Sequence, residues 1–257
     1  MPKMTRVGFY MFLIILISIF CLSACSSTDH FDESLNYITV PNTYPSIQEA
    51  INAAEDGDTI VVEPGIYREN IDYMGKAIVL QSTDPEDFDV TASTIIDGDK
   101  DRSVVTFSSG EPAEATISGF TITNGSGTWE ELDYKEQANQ FELKGYLGGG
   151  ILVLNNSSPT IKNNIILNNK CVGEGGGGGI AIWNASATIT GNTINQNGAP
   201  SGGGIFLGGG SGADIKKNTI TGNNAQNGGG IYVGNHSNVS LEENKINDNE
   251  AKSLLFP

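Results

Sequence analysis

Cysteine and histidine are scarce in this chain, and their scarcity excludes several kinds of site. Of the three cysteines in 257 residues, Cys21 and Cys25 lie in an apolar N-terminal stretch and only Cys171 lies in the body. The body therefore cannot contain an intrachain disulfide. His30 and His236 are isolated in the sequence, so no cluster of cysteine and histidine is present for a transition metal.

Basic residues are also few. The chain has 14 lysines and arginines against 30 acidic residues, which gives a formal net charge of −16. A surface of this charge repels nucleic acid, and it repels anionic polymers unless divalent cations intervene. We therefore exclude nucleic acid as a partner.

The first 25 residues have the pattern of an export signal. A basic start precedes an apolar run, and Leu22–Cys25 reads Leu-Ser-Ala-Cys. This ending resembles the lipobox of bacterial lipoproteins, which implies cleavage before Cys25 and lipidation of its thiol. The alternative is an uncleaved membrane helix. Both predict a body outside the cytoplasm, tethered to the cell membrane or outer membrane by the polar residues 26–36 and facing the periplasm or the cell surface.

A repeated pattern fills residues 148–250. Gly-Gly-Gly-Ile occurs four times, ending at Ile151, Ile180, Ile205 and Ile231. Each unit is followed by a pair of asparagines, namely Asn164 and Asn169, Asn192 and Asn197, Asn218 and Asn223, and Asn244 and Asn249. Repeats of this length, with short β-type runs and no helical stripe, are typical of a β-solenoid. We predict an all-β solenoid over residues 37–257, with apolar side chains stacked inside. The asparagines are expected to form ladders through their side-chain amides and to tolerate left-handed backbone geometry in the turns.

One amphipathic helix is predicted near the start of the body, within residues 45–57. Ser46 and Glu49 fit a capping box, and Ile47, Ala50 and Ile51 share one face. Gly57 has the residue type that favours a helix C-terminus. We expect this helix to cover the open end of the solenoid core.

Residues 126–147 interrupt the repeats and are predicted to form an inserted loop. The segment is rich in aromatic and acidic residues, and loops on a rigid scaffold often carry function. We predict that its side chains bind carbohydrate, the aromatic rings stacking on sugars and the carboxylates accepting hydroxyl hydrogen bonds. These residues are Trp129, Tyr134, Tyr146, Glu130, Glu131 and Asp133. The alternative is that the aromatic rings only hold the loop against the flank of the solenoid.

The alternating acids Asp97, Asp99 and Asp101 suggest calcium as a cofactor. The segment lacks the glycine and the terminal glutamate of an EF-hand loop, so an ordinary acidic turn is the alternative.

The chain resembles the right-handed parallel β-helix, or pectin-lyase-like, superfamily. Residues 45–69, with Gly65, Tyr67 and Glu69 in a G-x-Y-x-E pattern, resemble the start of pectinesterases. The Gly-Gly-Gly-Ile and Ile-x-x-Asn units resemble repeats of bacterial polymorphic surface proteins. The resemblance implies a right-handed, single-stranded β-helix.

The chemistry implied by that resemblance is not matched. Pectinesterases use a pair of aspartates and an arginine, but the chain has no aspartate between Tyr134 and Ala213 and no arginine after Arg102. The Asp-Asp and Arg-x-Lys elements of polygalacturonases are also missing. A lyase would need a cation, usually calcium, to neutralise the uronate carboxylate and a base to take the C5 proton. Among the lysines of the repeats that could act as this base, only Lys216 and Lys217 are adjacent.

The sequence therefore predicts a membrane-tethered protein that recognises extracellular polysaccharide or cell-surface glycans. A polysaccharide lyase or carbohydrate esterase is one alternative, and a non-catalytic adhesin or structural surface protein is another. After Asn249 no convincing cap follows. Two explanations stay open: Leu254–Phe256 fold over the end, or the chain is a piece of a longer solenoid.

Overall fold

Four β-sheets run side by side along the body, and the chain visits them in turn. A computed structural model describes residues 38–136, 139–173, 175–234 and 236–252, without the side chains of residues 132–143. The predicted signal, Cys25 and the tether lie outside these residues. Helices and strands are numbered below in chain order.

Sheet 1 receives one strand from each of eight successive coils. Its order is β1 (Ile38–Val40), β2 (Thr59–Val62), β5 (Val79–Ser82), β8 (Thr116–Ser118), β13 (Thr160–Lys162), β17 (Ser186–Thr190), β21 (Gly212–Lys216) and β25 (Asn238–Glu242). Sheet 2 follows it from the second coil onward. Its order is β3 (Gly65–Arg68), β6 (Thr94–Asp97), β9 (Thr121–Thr123), β14 (Ile165–Leu167), β18 (Thr193–Asn195), β22 (Thr219–Thr221) and β26 (Lys245–Asn247).

The other two sheets complete each coil. Sheet 3 contains β4 (Ile71–Asp72), β7 (Val105–Phe107), β12 (Ile151–Leu154), β16 (Ile180–Trp183), β20 (Ile205–Gly208) and β24 (Ile231–Val233). Sheet 4 contains β10 (Thr128–Glu136), β11 (Asn139–Leu147), β15 (Gly175–Gly176), β19 (Gly198–Ser201), β23 (Asn224–Asn227) and β27 (Glu250–Ala251). Neighbouring strands are parallel except for the pair β10 and β11. The predicted parallel β-helix is confirmed.

Columns of branched apolar residues form the core. Ile161, Ile189 and Ile215 lie directly above one another in sheet 1, and all three are fully buried. Parallel strands about 4.8 Å apart place each side chain in contact with its equivalents in the coils above and below. Sheets 2 and 3 supply equivalent columns to the same core, so each coil is stabilised mainly by its two neighbours.

The two predicted asparagine ladders are present and buried. Asn197 Oδ1 accepts hydrogen bonds from the backbone N–H and the side-chain amide of Asn169, at 3.0 and 3.1 Å. Its Nδ2 donates to the carbonyl of Ile166 and to Asn223 Oδ1, at 2.9 and 3.0 Å. One amide therefore joins three coils, and the same pattern recurs in the ladder through Asn164, Asn192, Asn218 and Asn244.

The left-handed turn geometry, in contrast, lies one residue before each ladder position. In the bend between sheets 1 and 2, positive φ angles occur at Asn163 (54°), Gly191 (68°), Lys217 (57°) and Glu243 (54°). The prediction that the ladder asparagines themselves take up this geometry is therefore wrong by one position. One left-handed residue makes the bend, and the side-chain amide of the asparagine that follows forms hydrogen bonds to the neighbouring coils.

The triple glycines are required by the close approach of neighbouring coils. The first glycine of each run turns the chain, as Gly202 does with a φ of 61°. At Gly204, an added Cβ would lie 2.5 Å from the carbonyl oxygen of Gly230 in the next coil. A side chain at such a position would separate backbones that are hydrogen-bonded, Gly204 N–H to Gly229 O at 3.0 Å.

Helix α1 (Ile47–Ala53) lies within the predicted range, and its apolar face joins the solenoid core through Ile47, Ala50 and Ile51. Ser46 is the N-cap as predicted, accepting a hydrogen bond from the Glu49 N–H at 3.3 Å. Gly57 has a positive φ of 93° but lies beyond the C-cap, which is Ala54.

Two charged side chains from the solenoid hold the ends of α1. The Glu69 carboxylate accepts the N–H groups of Ile47 and Gln48, both at 2.9 Å. Lys76 Nζ donates to three carbonyl oxygens at the other end, Ile51, Asn52 and Ala54, at 2.7–2.9 Å. Both charges have the sign that a helix terminus favours, which matters because seven residues are too few for a stable isolated helix.

Tyr67 and Glu69, two residues of the G-x-Y-x-E pattern, thus have structural roles here. The Tyr67 hydroxyl donates to the Glu63 carbonyl at 2.8 Å. Partial burial raises the pKa of Tyr67, with smaller contributions from the charges of Glu63 and Glu69. The Glu69 carboxylate thus connects α1 to the first coils, and the Tyr67 hydroxyl joins β3 to the Glu63 carbonyl that precedes it.

Helix α2 (Phe88–Ser93) was not predicted. It is a six-residue helix inserted between β5 and β6, with Asp87 as its N-cap. No described helix has the length and apolar character needed to cross a membrane.

We predict that Asn197→Ala lowers the free energy of unfolding by about 3 kcal/mol, because it leaves buried donors and acceptors in two neighbouring coils unpaired. Urea denaturation measures the change. Gln226→Ala removes an exposed amide from the next coil and serves as the control, with little expected effect. Equal losses in the two variants would contradict a structural role for the ladder.

Candidate functional site

The segment predicted as an inserted loop is a β-hairpin. Strands β10 and β11 pair in antiparallel register, with Trp129 opposite Tyr146. The second strand then continues sheet 4, because Tyr146 and Leu147 pair in parallel with Gly175 and Gly176 of the next coil. The insertion is therefore an extension of the solenoid sheet rather than an irregular excursion.

An aromatic pair marks one face of this hairpin. The rings of Trp129 and Tyr146 meet edge to face, with 5.3 Å between their centroids and 74° between their planes. Trp129 is 55 % exposed, whereas Tyr146 is half-buried. The contact with Tyr146 orients the indole while leaving much of its surface open to solvent, an arrangement that suits stacking on an apolar ligand face.

Charged groups lie beside this pair on the same face. Alternate residues of a strand share a face, so Glu131 and its cross-strand partner Lys144 lie on the side of Trp129 and Tyr146. Lys144 Nζ is 2.6 Å from Glu131 Oε1, and both side chains are largely exposed. An ion pair this exposed adds little stability, but it places one acceptor and one donor next to the aromatic pair.

Glu130 points to the opposite face, away from the exposed indole. It is half-buried, and burial raises the pKa of its carboxyl. Glu130 and Glu131 are both predicted to contact a ligand, but the alternation of the strand places them on opposite faces. The side chains of the two remaining predicted residues, Asp133 and Tyr134, lie outside the described residues.

The base of the hairpin is anchored in a second apolar cluster, on the outer face of sheet 3. Leu147 of the hairpin packs there with Leu152, Leu154, Ala181, Trp183 and Phe206. The rings of Trp183, Phe206 and Tyr232 form a stacked column with nearly parallel planes, and their centroids are separated by 6.4 and 5.5 Å. Trp183 and Phe206 are almost fully buried, so they support the site rather than offering a binding surface.

Sequence reasoning missed this second cluster, although a signal was present. Sheet 3 strands such as Ile151–Leu154 and Ile180–Trp183 are apolar at every position, not at alternate ones. A strand apolar on both faces is covered on both faces. The outer cover here includes the hairpin base and the two-glycine strand β15 of sheet 4, since a Cβ on Gly176 would lie 2.4 Å from the Phe206 ring.

Cys171 connects the hairpin to the adjacent coil. Its thiol donates to the carbonyl oxygen of Tyr146, with 2.6 Å between sulfur and oxygen. Burial raises the pKa of the thiol to about 12, only partly opposed by a backbone hydrogen bond from Gly176. The hydrogen bond joins the thiol to the backbone of Tyr146, and the raised pKa disfavours the reactive thiolate form.

The three aspartates of the predicted calcium site do not converge. Asp97 Oδ1 accepts the Asp99 N–H and the Asn124 side-chain amide, both at 3.0 Å, while Asp101 pairs with Arg102 at 3.2 Å. Across the described residues, no group of three or more acidic, histidine or cysteine side chains is arranged to hold a metal. The geometry gives the calcium prediction no support and fits the alternative of an acidic turn.

The adjacent lysines considered for a lyase are engaged in ion pairs. Lys216 Nζ lies 3.2 Å from Glu242, and Lys217 Nζ lies 3.9 Å from Glu243. Each of the two lysine amines is therefore held beside a carboxylate of the next coil.

We predict that Glu130→Gln stabilises the protein at pH 7, by an amount that solvent screening at this half-exposed position keeps small. The raised pKa means that the folded state binds more protons than the unfolded state, so stability falls as pH rises from the ordinary value of 4.5 through the folded value. The gain should vanish well below pH 4.5, which urea denaturation at both pH values tests. Glu131→Gln, at an exposed carboxylate, is the control, and a gain that persists at low pH would contradict the burial effect.

We also predict that Cys171 resists alkylation in the folded protein. A thiol with a pKa of about 12 has a thiolate fraction on the order of 10⁻⁴ at pH 8. Mass spectrometry of the Cys171 peptide after iodoacetamide treatment should show labelling roughly a thousandfold slower in buffer than in concentrated urea. Equal rates would contradict the buried, hydrogen-bonded thiol.

Comparison with known proteins supports the fold and its hand. A family model described as the right handed beta helix region matches residues 66–245, which is more than half of the chain. No curated protein and no solved structure matches the chain. The matched range includes the whole hairpin, so the aromatic face is part of a β-helix scaffold.

Proposed function

Because the chain belongs to the right-handed β-helix family, we propose that it uses its solenoid to present the hairpin for the binding of extracellular glycans. The observation that carries the proposal is the half-exposed Trp129, oriented by Tyr146 on a hairpin that continues sheet 4. Carbohydrate rings have apolar C–H faces that stack on such aromatic surfaces.

The polar groups beside the indole suit the same ligand. Glu131 offers acceptors and Lys144 offers donors at the rim of the aromatic pair, where sugar hydroxyls would lie. The formal charge of −16 disfavours anionic polymers. Neutral polysaccharides or glycans are therefore the proposed ligand class.

The rigid support is part of the proposal. The hairpin is held by strand pairing with β15, by Leu147 in the cluster outside sheet 3, and by the thiol of Cys171. A preordered aromatic surface loses less conformational entropy on binding than a loop that must be ordered by its ligand.

We further propose that the protein is exported and held at a membrane through a lipid on Cys25, as the Leu-Ser-Ala-Cys sequence suggests. In that position a glycan site would face the periplasm or the outside of the cell. Metabolic labelling with an alkyne-bearing fatty acid tests this directly. Label that is lost in Cys25→Ala supports the anchor, and label that persists in the variant contradicts it.

We predict that Trp129→Ala weakens glycan binding at least about tenfold, because the exposed stacking surface is removed. A glycan array followed by titration with the best-bound glycan measures the change. The melting temperature should stay nearly constant, since the indole is 55 % exposed. Met74→Ala, at a similarly exposed apolar residue, is the control.

Three results would redirect the proposal. Unchanged affinity in Trp129→Ala would reject the hairpin as the site. A rise in absorbance at 235 nm during incubation with uronate polymers would favour the lyase alternative. Capture of a defined surface protein, with no glycan bound on the array, would favour an adhesin.

A further inference from the structure

A cleft of about 350 Å³ lies beside helix α2, where the chain bends from sheet 1 into sheet 2. Phe88 and Ile165 give it an apolar surface, while Glu86, Asn163 and Thr193 supply polar groups. The cleft belongs neither to the hairpin nor to the cluster outside sheet 3. Its volume is near the lower end of the range for small-molecule pockets, which suits one sugar ring.

Phe88 is the most unusual residue of this cleft. It is the first residue of α2, and 68 % of its surface is exposed. An aromatic ring left this open contributes little to the core, yet here it lines a concave surface. Packing against the core therefore does not explain why an aromatic residue stands at this exposed position.

The helix that carries Phe88 is firmly attached. The Asp87 carboxylate accepts the N–H groups of Asp89 and Val90, at 2.8 and 3.0 Å. From the solenoid side, the Thr121 hydroxyl donates to the Thr91 carbonyl at 3.0 Å, and Thr91 is buried. The ring is thus presented on a fixed support, and binding would require little ordering.

The opposite wall is kept open by a glycine. Gly191 occupies a left-handed position where the next two coils have Lys217 and Glu243, and an added Cβ there would lie 2.5 Å from Asn163 Oδ1. Any side chain at residue 191 would enter the cleft. Asn163 lines the cleft and donates its backbone N–H to the Thr190 carbonyl, and within the described part of the chain its side-chain amide makes no hydrogen bond, so the amide is available to a ligand.

We propose that this cleft is a second carbohydrate site, which binds a single neutral pyranose ring stacked on Phe88; the assignment of ligand class rests on the proposed function. The C–H face of the sugar packs on Phe88 and Ile165, and its hydroxyls meet Asn163, Thr193 and the Glu86 carboxylate. Glu86 and the net charge of −16 disfavour acidic sugars at this position.

Saturation-transfer NMR on the full-length protein tests the proposal. The probes are the methyl glycosides of glucose, galactose and N-acetylglucosamine, with galacturonate as the charged comparison. At least one neutral glycoside should receive saturation from the wild-type protein, and galacturonate should not. Phe88→Ala should reduce the transfer at least about fivefold by removing the platform.

Two further variants sharpen the result. Gly191→Asn fills the cleft with the residue type that best tolerates a φ of 68° and displaces the Asn163 amide, so it should also abolish the transfer. Ile66→Ala removes an exposed apolar side chain from the same sheet outside the cleft, and it should leave the transfer unchanged. No transfer to any neutral glycoside, or full transfer in Phe88→Ala, would overturn the proposal.

The same measurement separates this site from the hairpin. Transfer that persists in Trp129→Ala but is lost in Phe88→Ala supports the cleft, whatever the array shows for Trp129. Transfer that is lost in Trp129→Ala alone assigns the ring to the hairpin and overturns the cleft site.

Discussion

The register between successive coils is the constraint on which this structure depends. A parallel β-helix has no antiparallel turns to fix the pairing of its strands, so each coil must be aligned by groups that recur at the same position. Here the alignment is set at the bends, where the amide of Asn197 joins its own coil to those of Asn169 and Asn223. A shift of one residue would leave several buried polar groups unpaired, at a cost of about 1–3 kcal/mol each.

This fixed register explains where the chain can depart from its repeat. Helix α2 and the hairpin both leave the solenoid between strands, and both return to the same register. The hairpin returns to the solenoid because its second strand pairs within sheet 4. Helix α2 is held to the solenoid by the hydroxyl groups of Thr94 and Thr121, which donate to its carbonyl oxygens. Functional side chains are therefore free to vary on these departures while the core stays constant.

Periodicity decided what could be predicted from the sequence. The ladder asparagines, the triple glycines and the inward isoleucines recur once per coil, so their common structural role was visible without coordinates. Helix α1 was visible for a different reason, because Ser46, Glu49 and an apolar stripe form a local signature. Even in the repeats, the prediction of the left-handed residue in each bend was wrong by one position. In one bend, asparagine occurs at both Asn163 and Asn164, so residue type does not separate the two positions.

Features that occur once were harder to predict. The hairpin has no glycine-rich turn signal to separate a strand pair from a loop, and α2 is too short to show an apolar stripe. Composition alone placed Glu130 and Glu131 together, whereas strand alternation puts them on opposite faces. The calcium prediction rested on the spacing of Asp97, Asp99 and Asp101, but in the turn Asp97 accepts hydrogen bonds from Asp99 N–H and Asn124 while Asp101 pairs with Arg102.

Because the asparagine ladders repeat once per coil, mutation can add or remove a whole coil without breaking the ladders. Asn192, Asn218 and Asn244 are spaced by 26 residues, and each presents the same donors and acceptors to its neighbours. Loss of one 26-residue unit by unequal recombination would bring Asn192 against Asn244 with every hydrogen bond replaced in kind. Loss of a few residues inside a coil would not restore these hydrogen bonds, because the asparagines would no longer be aligned. Descendants of such a gene can therefore differ in rod length while keeping the hairpin and α2 intact.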